Sequence, residues 1–174
     1  MGIQFETDYN METLTAMAKG LRKTVRKKRS RRVHIFAAVV LILGLLTILA
    51  TTAGGESLGA SGVVTLLAML VVILVSLFED RLNAWFARKR LLPGTEHAAA
   101  TFEEDGYVSA TGVTESRFSY AQIVAVAETA RYFVFALSSH HTQAYDKRTI
   151  RGGSVEDFRA FIAEKTGKLV ENIK

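Results

Sequence analysis

The chain has 174 residues, a formal net charge of +5 and no cysteine, so disulfide bonds, thiolate catalysis and cysteine-based metal sites are excluded. Its charge is unevenly distributed: residues 1–32 hold nine basic and three acidic side chains, whereas residues 96–174 hold nine basic and eleven acidic ones. The polar C-terminal part, about 80 residues long, is large enough for one small hydrophobic core and too small for two domains.

The N-terminal segment, residues 1–32, is predicted to contain a strand and then a helix. Weak alternation of apolar and polar side chains predicts a strand over Ile3–Thr7. Either Asp8 or Asn10 can cap the helix that follows. The helix is indicated by apolar side chains at helical spacing, namely Met11, Leu14, Met17, Ala18 and Leu21. We expect it to continue through the basic residues that follow and into the first long apolar segment.

Two long apolar segments come next, at residues 33–52 and 60–78. They contain no Asp, Glu, Lys or Arg, and each approaches the roughly 20 residues that a helix needs to cross the hydrocarbon core of a bilayer. Because every backbone amide in lipid must be hydrogen-bonded within the protein, we expect a transmembrane helical hairpin with an outer turn at residues 53–62, where Glu56 is the one charge. The lack of ionisable groups in these segments argues against ion transport by the hairpin itself.

Basic residues flank the apolar segments on one side only. Those before the first segment are Arg22, Lys23, Arg26, Lys27, Lys28, Arg29, Arg31 and Arg32, and those after the second are Arg81, Arg88, Lys89 and Arg90. The positive-inside rule therefore predicts a multi-pass protein of the inner or plasma membrane with both termini in the cytoplasm. We also expect these cations, Arg81 apart, to contact anionic lipid headgroups, at about 1 kcal/mol for each basic residue near the surface. Nucleic-acid binding is the competing interpretation, disfavoured because the basic cluster adjoins an apolar segment and lacks interleaved aromatic residues.

The pattern after the second apolar segment changes from helical to alternating. Residues 79–94 are predicted to form a juxtamembrane helix and linker, which Pro93-Gly94 ends. Residues 95–174 are predicted to form a cytoplasmic domain. Its short antiparallel strands are expected at His97–Glu104, Tyr107–Thr111, Glu115–Tyr120, Ile123–Glu128, Tyr132–Ser138 and Thr142–Asp146.

A final amphipathic helix is predicted to close this domain. It begins after Ser154, which forms a capping box with Asp157, and it ends near Gly167. The strand Ile3–Thr7 can join the sheet, since both emerge on the same side of the membrane and a short strand is unstable alone. The predicted fold class is thus an α+β membrane protein: a two-helix transmembrane hairpin with a cytoplasmic antiparallel β-sheet domain closed by a C-terminal helix.

Residues Phe102 to Lys165 carry a recognisable order of core residues. They contain FEEDGYVSATG, a Tyr-x-x-Ile step at Tyr120–Ile123, the aromatic strand YFVFALS at 132–138 and VEDFRAFIAEK at 155–165. Together with the hairpin ahead of it, this segment resembles the YcxB-like family of bacterial membrane proteins. The resemblance implies a cytoplasmic domain similar to pleckstrin-homology folds (PH-like) and supplies no catalytic residue. The chain departs from the family pattern at Tyr145-Asp146, where such proteins have apolar residues and a proline, so the end of that strand is expected to be shaped differently.

Few residues have the spacing of a catalytic or metal site. The strongest metal candidate is His140-His141 with Asp146 as a partner, but adjacent side chains of a strand point to opposite faces, and an exposed hairpin tip explains the pair better. The acidic run Glu103–Asp105 precedes a turn, where carboxylates are usually solvated rather than held in the contrasting environments that acid–base catalysis needs. We therefore expect no enzyme activity and no metal or cofactor.

The remaining hypothesis is binding. Arg131, Lys147, Arg148 and Arg151 form the only basic patch of the domain and are candidates to contact a lipid headgroup or a protein partner, with a solvated loop as the alternative. Sheet domains also recognise peptides along an open edge. We expect a non-catalytic protein-interaction or regulatory module, acting with membrane lipids and with a protein partner or a second copy of the chain. Two alternatives are a small accessory subunit of a membrane transporter or resistance system, and anionic-lipid headgroup binding through the basic loop.

Overall fold

The computed structural model describes residues 2–55 and 57–173, so Glu56 in the predicted outer turn lies outside the described residues. The described chain contains five α-helices and eight strands, in the order β1 (Ile3–Asp8), α1 (Met11–Lys23), α2 (Lys27–Ala53), α3 (Ala60–Leu77), α4 (Glu79–Lys89), β2 (His97–Phe102), β3 (Tyr107–Thr111), β4 (Glu115–Phe118), β5 (Ala125–Glu128), β6 (Tyr132–Ala136), β7 (Thr142–Asp146), α5 (Val155–Thr166) and β8 (Val170–Asn172). The two long apolar helices therefore precede a sheet domain and a C-terminal helix.

The strands form two four-stranded sheets, ordered β1-β2-β3-β4 and β7-β6-β5-β8. Strand β1 pairs antiparallel with β2, with Ile3 opposite Phe102, so the N-terminal strand belongs to the same sheet as the strands that follow the apolar helices. A hydrogen bond from the Asp146 amide to Thr7 Oγ1, 3.1 Å long, connects the two sheets. All pairs within the sheets are antiparallel except that of β8 with β5, a parallel strand that the sequence analysis did not predict.

The core between the sheets is aromatic, and α5 covers it. Phe158 of α5 is fully buried, with ring centroids 4.7 Å from Phe5 and 4.8 Å from Phe102. Burying a side chain of this size contributes about 1.5–3 kcal/mol. The predicted helix start is confirmed: Ser154 Oγ accepts from the Asp157 amide, and the Asp157 carboxylate accepts from the Ser154 amide.

Strand β6 is buried on both faces, because the core covers one face and α1 covers the other. Phe133 and Phe135 point into the core, whereas Tyr132 and Val134 belong to a second cluster that includes Met17 of α1. Gly20 permits this close approach, since a Cβ atom there would lie 2.7 Å from Val134 Cγ1. Helix α1 is thus docked on the outer face of the second sheet.

Helix α1 ends at Lys23 and α2 begins at Lys27, so the predicted continuous helix is wrong. Packing on the sheet and on α4 fixes the direction of α1, and the chain must turn before the apolar run. The turn is closed at Thr24, whose amide and hydroxyl both donate to the Gly20 carbonyl, over 3.1 Å and 2.8 Å. Thr24 and Val25 are β-branched and disfavour helix slightly, which suits this position to a break.

Helices α2 and α3 contain the predicted apolar segments, and both are long and apolar enough to cross a membrane. They pack against each other where Gly44 meets Met69, with a Cβ at Gly44 placed 2.8 Å from Met69 Sδ. The most hydrophobic part of each helix is not buried against the rest of the described protein. Helix α4 follows α3 and packs on α1 through the fully buried Ala84, while Trp85 and Phe86 stay exposed.

Candidate functional site

A cleft of about 610 Å³ lies between α1, the first turns of α2, helix α4 and the turn that joins β6 to β7. We call it the basal cleft. The apolar side chains that line it, which we call its floor, include Leu14, Met17, Leu21, Val33 and Phe86. The basic and polar side chains that line it, which we call its rim, include Arg22, Arg26, Arg29, Arg90, His140 and His141. The cleft therefore combines apolar and cationic lining residues.

The wall of the basal cleft is held in place by an ion pair between α1 and α4. Arg22 donates through Nε and Nη2 to the two carboxylate oxygens of Asp80, over 2.7 Å and 2.6 Å. This hydrogen bond raises the pKa of the Arg22 guanidinium. Glu79 lies 3.8 Å from both Arg22 Nε and His34 Nε2. Arg22, which the sequence suggested as a lipid contact, is thus engaged inside the protein.

The opposite wall is the β6–β7 turn, residues 137–141. Ser138 Oγ accepts hydrogen bonds from the amides of His140 and His141, over 3.1 Å and 3.0 Å, and so fixes both residues at the rim. Arg26 Nε donates to the Ser139 carbonyl at 2.6 Å and connects this turn to the start of α2. The predicted hairpin tip is confirmed, and it is a side of the cleft.

The metal site that the sequence raised is not assembled. Asp146 lies at the other end of β7, where its carboxylate accepts hydrogen bonds from Arg131 and Arg148 rather than meeting His140-His141. Among the residues that the structure describes, no group of three or more His, Asp or Glu side chains is arranged to hold a metal ion.

Three cations of the rim have no carboxylate partner in the described part of the chain. Arg29 and Arg90 are exposed, and Arg26 uses one N–H on the Ser139 carbonyl. The one acidic residue that lines the cleft is Glu79, which already faces Arg22 and His34. The local field in the cleft is therefore positive, and it favours an anion.

The basic patch predicted in the sheet domain has a different character, because each of its four cations faces a carboxylate. Arg131 Nη2 and Arg148 Nη2 lie 3.0 Å and 2.9 Å from Asp146 Oδ2. Arg131 also pairs with Glu12 of α1. Lys147 Nζ donates to Glu128 Oε1 at 2.9 Å, and Arg151 Nη1 lies 3.4 Å from Glu6 Oε1. The positive charge of this patch is therefore largely compensated by carboxylates. Contact of the patch with lipid headgroups or a protein partner stays a prediction.

Sequence reasoning missed the buried carboxylates beneath this patch. Glu128 is 4% exposed and Asp146 is 5% exposed. Arg159 of α5 donates twice to Glu128, over 2.7 Å and 2.8 Å, which is the main reason why the pKa of this carboxylate is lowered. In the sequence, the signal was the acidic Glu128 at the end of an apolar strand. A buried charge requires a partner of opposite charge, so this position predicts an ion pair.

The other predicted site residues lie on the outer surface of the helices and turns. Lys23, Lys27, Lys28, Arg31, Arg32 and Arg88 are exposed, and Lys89 Nζ lies 3.6 Å from the Trp85 ring centroid. In the acidic run, Glu103 pairs with Arg117 at 3.2 Å and Glu104 pairs with Lys165. These groups are accessible, but they do not converge on one site.

Comparison with known proteins identifies the central part of the sheet domain. Residues 102–162 match the family model described as YcxB-like protein. No curated protein and no solved structure shows significant similarity to the chain. The matched segment runs from the end of β2 into α5 and includes the β6–β7 turn, whereas the helices of the basal cleft lie outside it. The resemblance predicted from the sequence is confirmed, and the chain carries a YcxB-like segment at residues 102–162.

Proposed function

We propose that the chain is an integral membrane protein whose PH-like cytoplasmic domain acts as a non-catalytic protein-interaction or regulatory module, rigidly attached to a transmembrane hairpin. The observation that carries this proposal is that α1 packs on two elements of the protein at once, strand β6 and helix α4. One side of α1 packs on β6 through Gly20 and Val134, and another is paired with α4 through Arg22 and Asp80.

Membrane insertion is supported by the surface of the hairpin. Helices α2 and α3 expose a continuous apolar surface, with Phe36, Leu46 and Leu67 all more than half exposed. A soluble monomer rarely exposes apolar patches of that extent, which mark contact with lipid or with a partner. The basic residues at both hairpin bases favour a cytoplasmic sheet domain by the positive-inside rule.

Rigid attachment supports a regulatory role rather than simple tethering. Helix α4 begins at Glu79, directly after α3 ends at Leu77, and it packs on α1 through Ala84. A tilt of α3 would therefore displace α4 and α1, and with them β6 in the sheet. Binding on the sheet domain and rearrangement of the hairpin are coupled in both directions, since linkage between two sites is reciprocal.

The non-catalytic part of the proposal is supported by the hydrogen bonds and ion pairs that buried polar groups make. The Tyr107 and Tyr145 hydroxyls both donate to Gln143 Oε1, over 2.7 Å, and burial raises the pKa of both tyrosines. Glu128 and Asp146 are each held by more than one cation. These groups are engaged in structural hydrogen bonds rather than poised to exchange protons with a substrate.

Because the natural chain has no cysteine, single cysteines can test the topology directly. We would introduce Ser57→Cys in the turn between α2 and α3 and Ala121→Cys in the sheet domain, both at exposed positions. A membrane-impermeant maleimide should label Ser57→Cys in intact cells and Ala121→Cys only after permeabilisation. Labelling of both in intact cells, or of Ala121→Cys alone, would contradict the proposed orientation.

The partner is tested by gentle purification of the full-length protein from its native membrane, followed by mass spectrometry. A stoichiometric protein partner, or a homo-oligomer on a sizing column, supports the interaction module. A larger transporter recovered at equal stoichiometry would favour the accessory-subunit alternative. Recovery of a strict monomer would contradict both.

A further inference from the structure

We infer that the basal cleft binds the phosphate-bearing headgroup of an anionic membrane lipid, with Arg26, Arg29 and Arg90 as the anion contacts. This inference rests on the proposed function, because a membrane lipid reaches the cleft only if the hairpin is inserted. It goes beyond a diffuse attraction between basic residues and the membrane, since it assigns one lipid to one cavity and three of the basic residues to that lipid.

The charge around the cleft selects an anion. Four guanidinium groups line it against one carboxylate, and Arg22 and Glu79 face each other. Arg29 and Arg90 have no acidic partner among the described residues, and Arg26 has used one of its five N–H donors. Arginine presents a planar fork of donors that matches phosphate oxygens in a bidentate manner.

The shape of the cleft selects an amphiphile over a free anion. The rim residue Arg29 precedes the floor residue Val33 by one helical turn, a rise of about 6 Å. Val33 is also the first residue of the long apolar segment. A lipid whose phosphate meets the rim therefore has an apolar surface on α2 along which its acyl chains can continue.

The contrast with the basic patch of the sheet domain supports this choice of site. Arg131, Lys147 and Arg148 face buried carboxylates, so a phosphate there would compete with ion pairs that the fold already makes. In the basal cleft the cations stand against apolar side chains and a backbone carbonyl. A phosphate there would gain charge-assisted hydrogen bonds without breaking an ion pair.

The experiment compares two triple variants that remove the same charge. The cleft variant carries Arg26→Gln, Arg29→Gln and Arg90→Gln. The control variant carries Lys28→Gln, Arg31→Gln and Arg32→Gln, three exposed cations of α2 that do not line the cleft. Delipidated full-length protein in detergent is titrated with phosphatidylglycerol, and the bound lipid is counted by native mass spectrometry.

We expect the natural chain to retain one phosphatidylglycerol, the cleft variant to bind it at least about tenfold more weakly, and the control variant to change less than about twofold. Equal loss in both variants would overturn the inference in favour of diffuse attraction. If phosphatidylethanolamine, titrated in the same way, were bound as tightly as phosphatidylglycerol, the requirement for an anionic headgroup would be overturned. Displacement of the lipid by excess inorganic phosphate would show a free-anion site instead.

Two further measurements keep the outcome unambiguous. Thermal unfolding of each variant shows whether it is folded. If the cleft variant is unfolded, the single substitution Arg90→Gln, at an exposed position, takes its place in the lipid titration. The labelling assay with Ser57→Cys and Ala121→Cys is repeated in the background of each variant. Correct labelling without lipid selectivity rejects the lipid site alone, whereas failure of the labelling pattern when the two single cysteines are placed in the otherwise natural chain rejects the membrane proposal itself.

Discussion

Arg22 and Asp80 form a two-pronged ion pair that joins the end of α1 to the start of α4, although 57 residues and both apolar helices separate them in the chain. The Arg22 side chain is 20% exposed and that of Asp80 is 16% exposed, so the pair is only partly screened by solvent. It joins α1, which packs on the sheet domain, to α4, which follows the second apolar helix.

Replacing Asp80 with alanine should loosen this junction. Loss of two charge-assisted hydrogen bonds at a partly buried site costs about 1.5–3 kcal/mol. Thermal unfolding in detergent should report the loss, and hydrogen exchange should increase most in α4. The matched control is Glu104→Ala, which removes the exposed pair with Lys165 and should leave both measurements unchanged. Equal effects of the two substitutions would contradict a special role for Arg22 and Asp80.

Gly20→Ala should destabilise the protein although alanine is the better helix former. In an unconstrained helix this change stabilises by about 1 kcal/mol, but the added Cβ would lie 2.7 Å from Val134 Cγ1. Overpacking costs about 1–3 kcal/mol, so after the gain in helix propensity is subtracted we expect a net loss of up to about 2 kcal/mol. The second variant, Gly20→Ala with Val134→Ala, should recover stability relative to the sum of the single changes. Strict additivity in this double-mutant cycle would contradict direct contact between α1 and β6.

Glu128→Gln should be destabilising and should flatten the response to acid. Removing this charge leaves Lys147 and Arg159 without their shared buried partner, a loss of about 3 kcal/mol. The pKa of Glu128 is lowered in the folded state, chiefly by its hydrogen bond with Arg159, so its contribution is complete above the ordinary pKa of glutamate and is lost as the pH falls through the folded-state value. Unfolding curves from neutral pH to well below the ordinary pKa of glutamate measure both effects, and Glu156→Gln, on the exposed side of Arg159, is the control.

Asn10→Ala should weaken the start of α1, whereas Asp8→Ala should not. Asn10 Oδ1 accepts from the amides of Glu12 and Thr13 at 2.9 Å and 3.0 Å, and loss of such a cap costs about 1 kcal/mol. The Asp8 side chain is exposed and pairs with His97 instead. Chemical unfolding of the two variants decides between them, and an equal or greater loss in Asp8→Ala would reverse the assignment of the cap.

Local patterns were sufficient to predict most elements of the fold. The alternation after Pro93-Gly94 predicted six strands that the structure contains, two with the same ends and four with one end shifted by two residues. Ser154 with Asp157 predicted the start of α5. Strand β8 was missed because its three residues, Val170–Asn172, are too few to give a period and two of them are exposed.

The basal cleft could not be predicted from periodicity, since α1 and the start of α2 form it together with α4 and the β6–β7 turn, which are distant from them in the chain. The shape of the cleft depends on where α1 ends. Basic residues on both sides of Thr24 made the break in the helix there hard to recognise in the sequence. Which cations are free also depends on partners far away in sequence: Arg131 meets Glu12 across 119 residues, whereas Arg29 and Arg90 meet no carboxylate in the described structure. The sequence alone suggested a lipid contact for Arg131 in the sheet domain and for the juxtamembrane Arg29 and Arg90, without showing which of them have a carboxylate partner.

The pairing of β1 with β2 has a consequence for how the molecule is assembled. Asp8 lies directly opposite His97 in the register, and the Tyr9 amide donates to the Glu96 carbonyl at 2.7 Å, so the chain leaves the sheet and returns to it at the same point. All four helices α1 to α4 are therefore an insertion into the connection between two neighbouring strands. A fragment that begins after α4 would lack the first strand of its own sheet. During synthesis this strand cannot pair with β2 until all four intervening helices have been made.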